Sequence, residues 1–307
     1  MATYLVRRLL MALTVIAGIS VVTFAMIYFL PTDPARMYAG PNASVEAVAR
    51  IRHQMGLDQP LWVQYGRYVE RVLQGDLGYS YKLQMPVTQA ILSRLPYTLE
   101  LIFAAIFVEL ALGVPLGVLA ALRKNTWVDG LSTLAALVGV SSPPFWLGLL
   151  FLYVFAFKLG WFPLGGAGGL SHLILPALTA GLGGVGWYAR MARSSTLNVL
   201  DADYVRTARA KGLPGWIVVV RHVVRNALNP IVTMAGQDIP WFVGGVVVVE
   251  MVFGWPGIGR MAVEAILMDD VPLIMGTVTF TAVLVVLSSI LVDVVQALLD
   301  PRIRLNA

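Results

Sequence analysis

Leu9-Leu-Met-Ala-Leu-Thr-Val-Ile-Ala-Gly-Ile-Ser-Val-Val-Thr-Phe-Ala-Met-Ile-Tyr-Phe-Leu30 runs for 22 residues without a charged side chain. A helix needs about 20 mostly apolar residues to cross a hydrocarbon core of about 30 Å. This stretch meets that length alone. Arg7 and Arg8 precede it as the basic flank of a secretory leader would, but a leader's apolar part runs only about 7–15 residues. The stretch therefore reads as a retained membrane anchor.

The rest of the chain repeats the pattern. Of 307 residues, 58% are apolar and 13% charged, and the mean hydropathy is +0.77. A soluble domain is about 45–50% apolar and about 25% charged, so a water-soluble enzyme and a disordered chain are both excluded. Five further segments have the length and apolarity of a span: Tyr97–Leu122, Leu131–Phe157, Leu170–Tyr188, Ala227–Val249 and Leu273–Leu299. The runs are long and do not alternate, which favours helices over barrel strands. The expected fold is an all-α polytopic membrane protein of six transmembrane helices.

Basic residues set the orientation. With the N-terminus inside, the inner segments hold Arg7, Arg8, Arg123, Lys124, Arg190, Arg193, Arg206, Arg209, Lys211, Arg221, Arg225, Arg302 and Arg304, which is 13 of the 22 Lys and Arg. The two short outer loops hold only Lys158 and Arg260. Both termini are expected in the cytoplasm. Residues 1–30 form the cytoplasmic end and first helix, 31–96 an external segment, and 97–307 a five-helix core with a cytoplasmic loop at 189–226. Within the external segment, Val45–Gly56 and Leu61–Leu73 read as helices.

Several chemistries lack their residues. There is no cysteine and there are only three histidines, at 53, 172 and 222, so no local metal site is expected and no thiol nucleophile exists. No G-x-x-x-x-G-K-[ST] loop is present to cradle nucleotide phosphates, and no G-x-S-x-G or H-E-x-x-H motif. The chain is expected to be no enzyme and to hold no cofactor.

The most informative polar stretch is Asp201-Ala-Asp-Tyr-Val-Arg-Thr-Ala-Arg-Ala-Lys-Gly-Leu-Pro214. Asp201 and Asp203 open it and Arg206, Arg209 and Lys211 follow, the order that a helix dipole favours. Gly212 is a natural C-terminal cap and Pro214 blocks continuation. Ala202, Val205 and Ala208 recur every three residues, a small-residue face fit to lie close against another protein. A helix lying on anionic lipid has the same pattern.

Arg206-Thr-Ala-Arg-Ala-Lys-Gly212 resembles the E-A-A-x-x-x-G loop of binding-protein-dependent ABC importer permeases. Leu30-Pro-Thr-Asp-Pro34, Gly56-Leu-Asp-Gln-Pro-Leu61, Gly75-Asp-Leu-Gly78, Phe253-Gly-Trp-Pro-Gly-Ile-Gly-Arg260 and Asp300-Pro-Arg-Ile-Arg304 resemble the B-type subunits of the dipeptide/oligopeptide/nickel branch. Arg206-Thr207 stands where Glu-Ala is usual, and His222, Val224 and Arg225 replace the distal I-x-L-P. The resemblance implies that Tyr204, Val205, Arg206, Thr207, Ala208, Arg209, Ala210, Lys211 and Gly212 form a coupling helix docked on an ATPase subunit. It also implies a second homologous permease, two ATPase subunits that bind ATP and magnesium, an extracytoplasmic solute-binding protein, a peptide substrate, and the bacterial inner membrane with its lipid. No nucleic-acid partner is implied. Di- or oligopeptides, glutathione-like peptides and nickel complexes all fit. The alternative class is an ion-coupled secondary transporter.

Carboxylates inside spans are costly and face protein or water. Asp238, with Gln237, Trp241 and, from another span, Glu109, is a candidate for the translocation pathway. The same residues also fit a structural role between helices. Asp293, near the cytoplasmic end of the last span, is expected to pair with a base.

Overall fold

The computed structural model describes residues 2–29, 33–40 and 42–299. The motif residues 30–32 and the whole of 300–304, with Arg302 and Arg304, lie outside them. The helices are α1 Ala2–Phe29, α2 Pro34–Ala39, α3 Val45–Gln54, α4 Leu61–Leu73, α5 Val87–Leu122, α6 Trp127–Ser141, α7 Pro144–Phe151, α8 Leu170–Leu200, α9 Asp203–Ala210, α10 Gly215–Ile217, α11 Arg225–Ala227, α12 Asn229–Gly245, α13 Val247–Val252, α14 Ile258–Leu267 and α15 Val271–Leu299. Wider π-type turns occupy Leu152–Lys158 and Val218–Val224. The all-α expectation needs one correction. Two short strands, β1 Tyr79–Ser80 and β2 Met85–Pro86, pair antiparallel with Tyr79 opposite Pro86.

The expected external helices form at Val45–Gln54 and Leu61–Leu73. Ser44 Oγ accepts the Ala47 amide at 3.2 Å and so caps α3.

Four helices are long and apolar enough to cross a membrane: Arg7–Met26, Val87–Leu122, Leu170–Leu200 and Val271–Gln296. The third expected span is a bent pair, Trp127–Gly139 and Pro144–Lys158, turned by 99°. Pro143 and Pro144 cause the break. Neither has an amide hydrogen, and a proline drives the residue before it out of the helical region; Ser142 is extended, at φ −85° and ψ 124°. The fifth expected span is also interrupted. Its 17-residue α12 ends at Gly245, and α13 starts at Val247. The described residues thus show four unbroken spans, or five if the bent pair is one, where six were expected.

The chain divides into two compact units, one drawn from Met1–Pro96 and Gly257–Ala307 and the other from Tyr97–Pro256. In the first, α1 runs along α15, and Arg8 pairs with Asp293 at 2.9 Å, as expected for that carboxylate. Helix α4 lies against both. Tyr65 shares a hydrogen bond with Ser20 at 2.8 Å, and Tyr68 shares one with Thr279 at 2.7 Å. Asp270 is buried and caps α15 through the Leu273 amide at 3.2 Å, while its other oxygen accepts from Ser80 at 2.5 Å. That single carboxylate fixes the β-ribbon to the start of α15.

In the second unit, α8 packs against α6, α7 and α12. At 31 residues α8 is about 46 Å long, longer than a bilayer core. It therefore continues through residues 189–200, which the sequence assigned to a loop. Arg190 and Arg193 end a hydrophobic span, yet arginine is a good helix former, so the helix outlasts the span.

Candidate functional site

Helix α9 has only eight residues, too few to be stable without tertiary packing. Its apolar side supplies that packing. Val205 is completely buried and Ala208 nearly so, in a cluster with Val218 and Val223, flanked by Val199, Leu200 and Ala202. This corrects the expectation of a small-residue face offered to a partner, because the chain itself covers that face. A bulky residue at 208 would disturb the loop's own core and would not report on docking.

The opposite side is open. Tyr204, Arg206, Thr207, Arg209, Ala210, Lys211 and Gly212 are all exposed. Arg206 lies 3.5 Å from Asp203, but both side chains are largely solvated, so the pair adds little stability. Ala202, not an aspartate, occupies the cap position, and Asp201 ends α8 instead. Gly212 has φ +75° with no atom near a prospective Cβ, as expected of a residue ending a helix in the left-handed region. Just beyond it Trp216 is 70% exposed. The sequence reading passed over Trp216; a lone tryptophan after a Pro-Gly pair was its only signal.

The pathway candidates separate into two pairs. Gln237 and Trp241 are exposed on α12. Glu109 on α5 and Asp238 on α12 come together in the same interior. Tyr188, on α8, donates its hydroxyl to Asp238 Oδ2. Sequence reasoning missed Tyr188, which lies among glycines and small residues and carries no charge. Glu109 is 4% exposed, and its Oε2 is buried with no hydrogen-bond partner. Gly184 on α8 makes room for it, since a Cβ there would collide with the Glu109 carboxyl. Gly183, beside it on α8, instead faces open space.

Towards the loop end of α8, Arg193 grips Asp129 on α6 with two hydrogen bonds, at 2.7 and 2.8 Å, and the Asn125 amide adds a third at 3.1 Å. A forked guanidinium–carboxylate contact fixes direction as well as distance, so it sets the angle of α6 on α8 close to the helix that continues toward α9. Among the described residues no three His, Asp or Glu side chains converge as a metal site would require.

Residues 113–305 match the family described as binding-protein-dependent transport system inner membrane component, and residues 1–102 match its N-terminal companion. The glutathione transport system permease protein GsiC of Salmonella paratyphi A is 42% identical over 99% of both chains. A putative peptide transport system permease of Brucella abortus is 41% identical, again over 99% of each. Among solved structures, an inward-facing MetNI methionine ABC transporter has a similar fold, with a TM-score of 0.57 at 19% identity, covering 69% of this chain and 97% of that one.

Proposed function

We propose that this chain, which belongs to the family of binding-protein-dependent transport system inner membrane components, imports di- or oligopeptides of the glutathione type as one of two permease subunits. The observation that carries this reading is the likeness to glutathione and peptide permeases across nearly the whole chain. A second permease lines the other half of the path. Two ATPase subunits bind ATP and magnesium, and a solute-binding protein delivers peptide to an external segment at 31–96. The core at 97–307 crosses the membrane five times after the first helix. The third and fifth of the chain's six crossings are the interrupted ones, and both termini lie in the cytoplasm. ATP is hydrolysed by the partners, not by this chain.

Residues 204–212 are proposed as the coupling segment, with the exposed side of α9 against the ATPase. The positive φ of Gly212 supports this, since it turns the chain sharply where a docked helix must end. Gly212→Val places a β-branched residue in the left-handed region, at a cost of about 1–2 kcal/mol. Association with the ATPase should weaken about tenfold, with uptake of labelled glutathione reduced at matched expression. Gly215→Ala, at a position with ordinary φ and open space around it, should be silent. Equal ATPase co-purification from both variants would remove the segment from the interface.

Topology has a direct test because the chain has no cysteine. A cysteine at Ser44 should react with an impermeant maleimide in intact cells, and one at Ala210 should react only after the membrane is opened. The reverse labelling would invert the orientation.

A further inference from the structure

Glu109, Tyr188 and Asp238 come from α5, α8 and α12, all within one compact unit. Two neighbouring carboxyls in a low-dielectric setting disfavour a double negative charge, and a shared proton relieves it. Tyr188 gives its only donor to Asp238, so it cannot satisfy Glu109. Neither carboxyl forms a salt bridge among the described residues. Glu109 Oε2 is buried with no hydrogen-bond partner, which costs a neutral carboxyl less than a carboxylate.

The surroundings hold the three groups in register. Tyr188, Ala192 and Ile231 form an apolar cluster, with Leu110 and Val114 from α5 and Met234 and Ala235 from α12 packed against it. Ser195 on α8 donates to the Ala227 carbonyl at 2.9 Å, a tie between α8 and α11, the short helix just before α12. Separating α12 from α8 would leave a carboxylate and a hydroxyl unpaired in a dry interior, which is disfavoured. Helix α8 ends at Leu200, and α9 begins at Asp203, so a push on α9 reaches α8 across two residues.

We propose that Glu109, Tyr188 and Asp238 are positioning residues that form a proton-bridged latch and make α12 travel with α8 when the importer changes state. The proposal rests on the docking of α9 only for the source of the motion.

The test uses the complete importer in nanodiscs, with its partner permease, ATPases and binding protein. Nitroxides are placed at Met191→Cys on α8 and Val232→Cys on α12, both exposed positions, and the distance between them is measured without nucleotide and with ATP bound. The otherwise native chain should give the same single distance in both states. Glu109→Gln should too, because an amide can donate to Asp238 where the shared proton did. Glu109→Ala and Tyr188→Phe should give a split or broadened distance with ATP, and glutathione transported per ATP should fall about tenfold.

A distance that changes with ATP in the native chain overturns the latch. So does a single distance in both disrupting variants, and so does Glu109→Gln behaving like Glu109→Ala. If Glu109→Ala does not assemble, Tyr188→Phe decides, since it keeps the ring in its apolar seat. Failure of the α9 docking assignment would appear in ATPase co-purification and would leave the nitroxide distances interpretable.

Discussion

Trp255→Ala is expected to cost about 3–5 kcal/mol of stability, the range for truncating a fully buried large aromatic. Trp255 is 1% exposed. Its indole Nε1 donates to the Tyr97 carbonyl at 2.9 Å, and its ring meets Tyr97 edge-on with centroids 6.1 Å apart. Its amide donates to the Glu250 carbonyl at 2.8 Å, and the buried Glu250 side chain accepts from Thr98 at 2.8 Å. The segment after α13 is thus tied to residues 97–98 of α5 by both main chain and side chain. Truncation removes the packing and this hydrogen bond together. Trp255→Phe keeps most of the volume and loses only the hydrogen bond, so it should cost about 1–3 kcal/mol. Thermal unfolding of the detergent-purified chain distinguishes the two. Identical midpoints for Trp255→Ala and the parent would mean that this segment is not packed as described.

The second large effect is expected at Gly117. A Cβ there would strike the Ala189 carbonyl oxygen, with the Ala192 Cβ at 2.7 Å and the Arg193 amide nitrogen at 2.9 Å. These are backbone or first side-chain atoms of α8, with no flexible end to swing aside. Helices α5 and α8 must separate, and overpacking of this kind costs about 1–3 kcal/mol. Small residues are what allow helices to approach so closely inside a membrane. The shift would also disturb Arg193, whose fork on Asp129 depends on the position of α8. Gly183→Ala is the control, since its Cβ would meet nothing within 4 Å. There the helix preference of alanine over glycine, about 1 kcal/mol, should leave stability unchanged or raised. Equal melting temperatures for Gly117→Ala and Gly183→Ala would contradict the close approach of α5 and α8.

The residues themselves determined what is local. A charge-free run from Leu9 to Leu30 spans a bilayer whatever surrounds it, because the water-to-lipid transfer of each residue needs no partner. The helices at 45–54 and 61–73 and the left-handed Gly212 were also legible, since caps, turn residues and apolar spacing act within a few positions. Hydropathy misled where it was taken as a measure of helix length. Arg190 and Arg193 halt an apolar run but not the hydrogen-bond ladder of α8, which continues to Leu200. It also gave one span where Ser142, Pro143 and the turn at Val246 break the ladder.

Only the tertiary structure decided which face of α9 is free. An alternation of small residues says that one face is covered, not whether the cover is another chain or Val218 and Val223 of the same one. The meeting of Glu109, Tyr188 and Asp238 is of the same kind. Tyr188 and Asp238 lie 50 residues apart, on helices whose rotation and depth are fixed by packing, and a single sequence's periodicity carries no information about which side chains face each other across that distance.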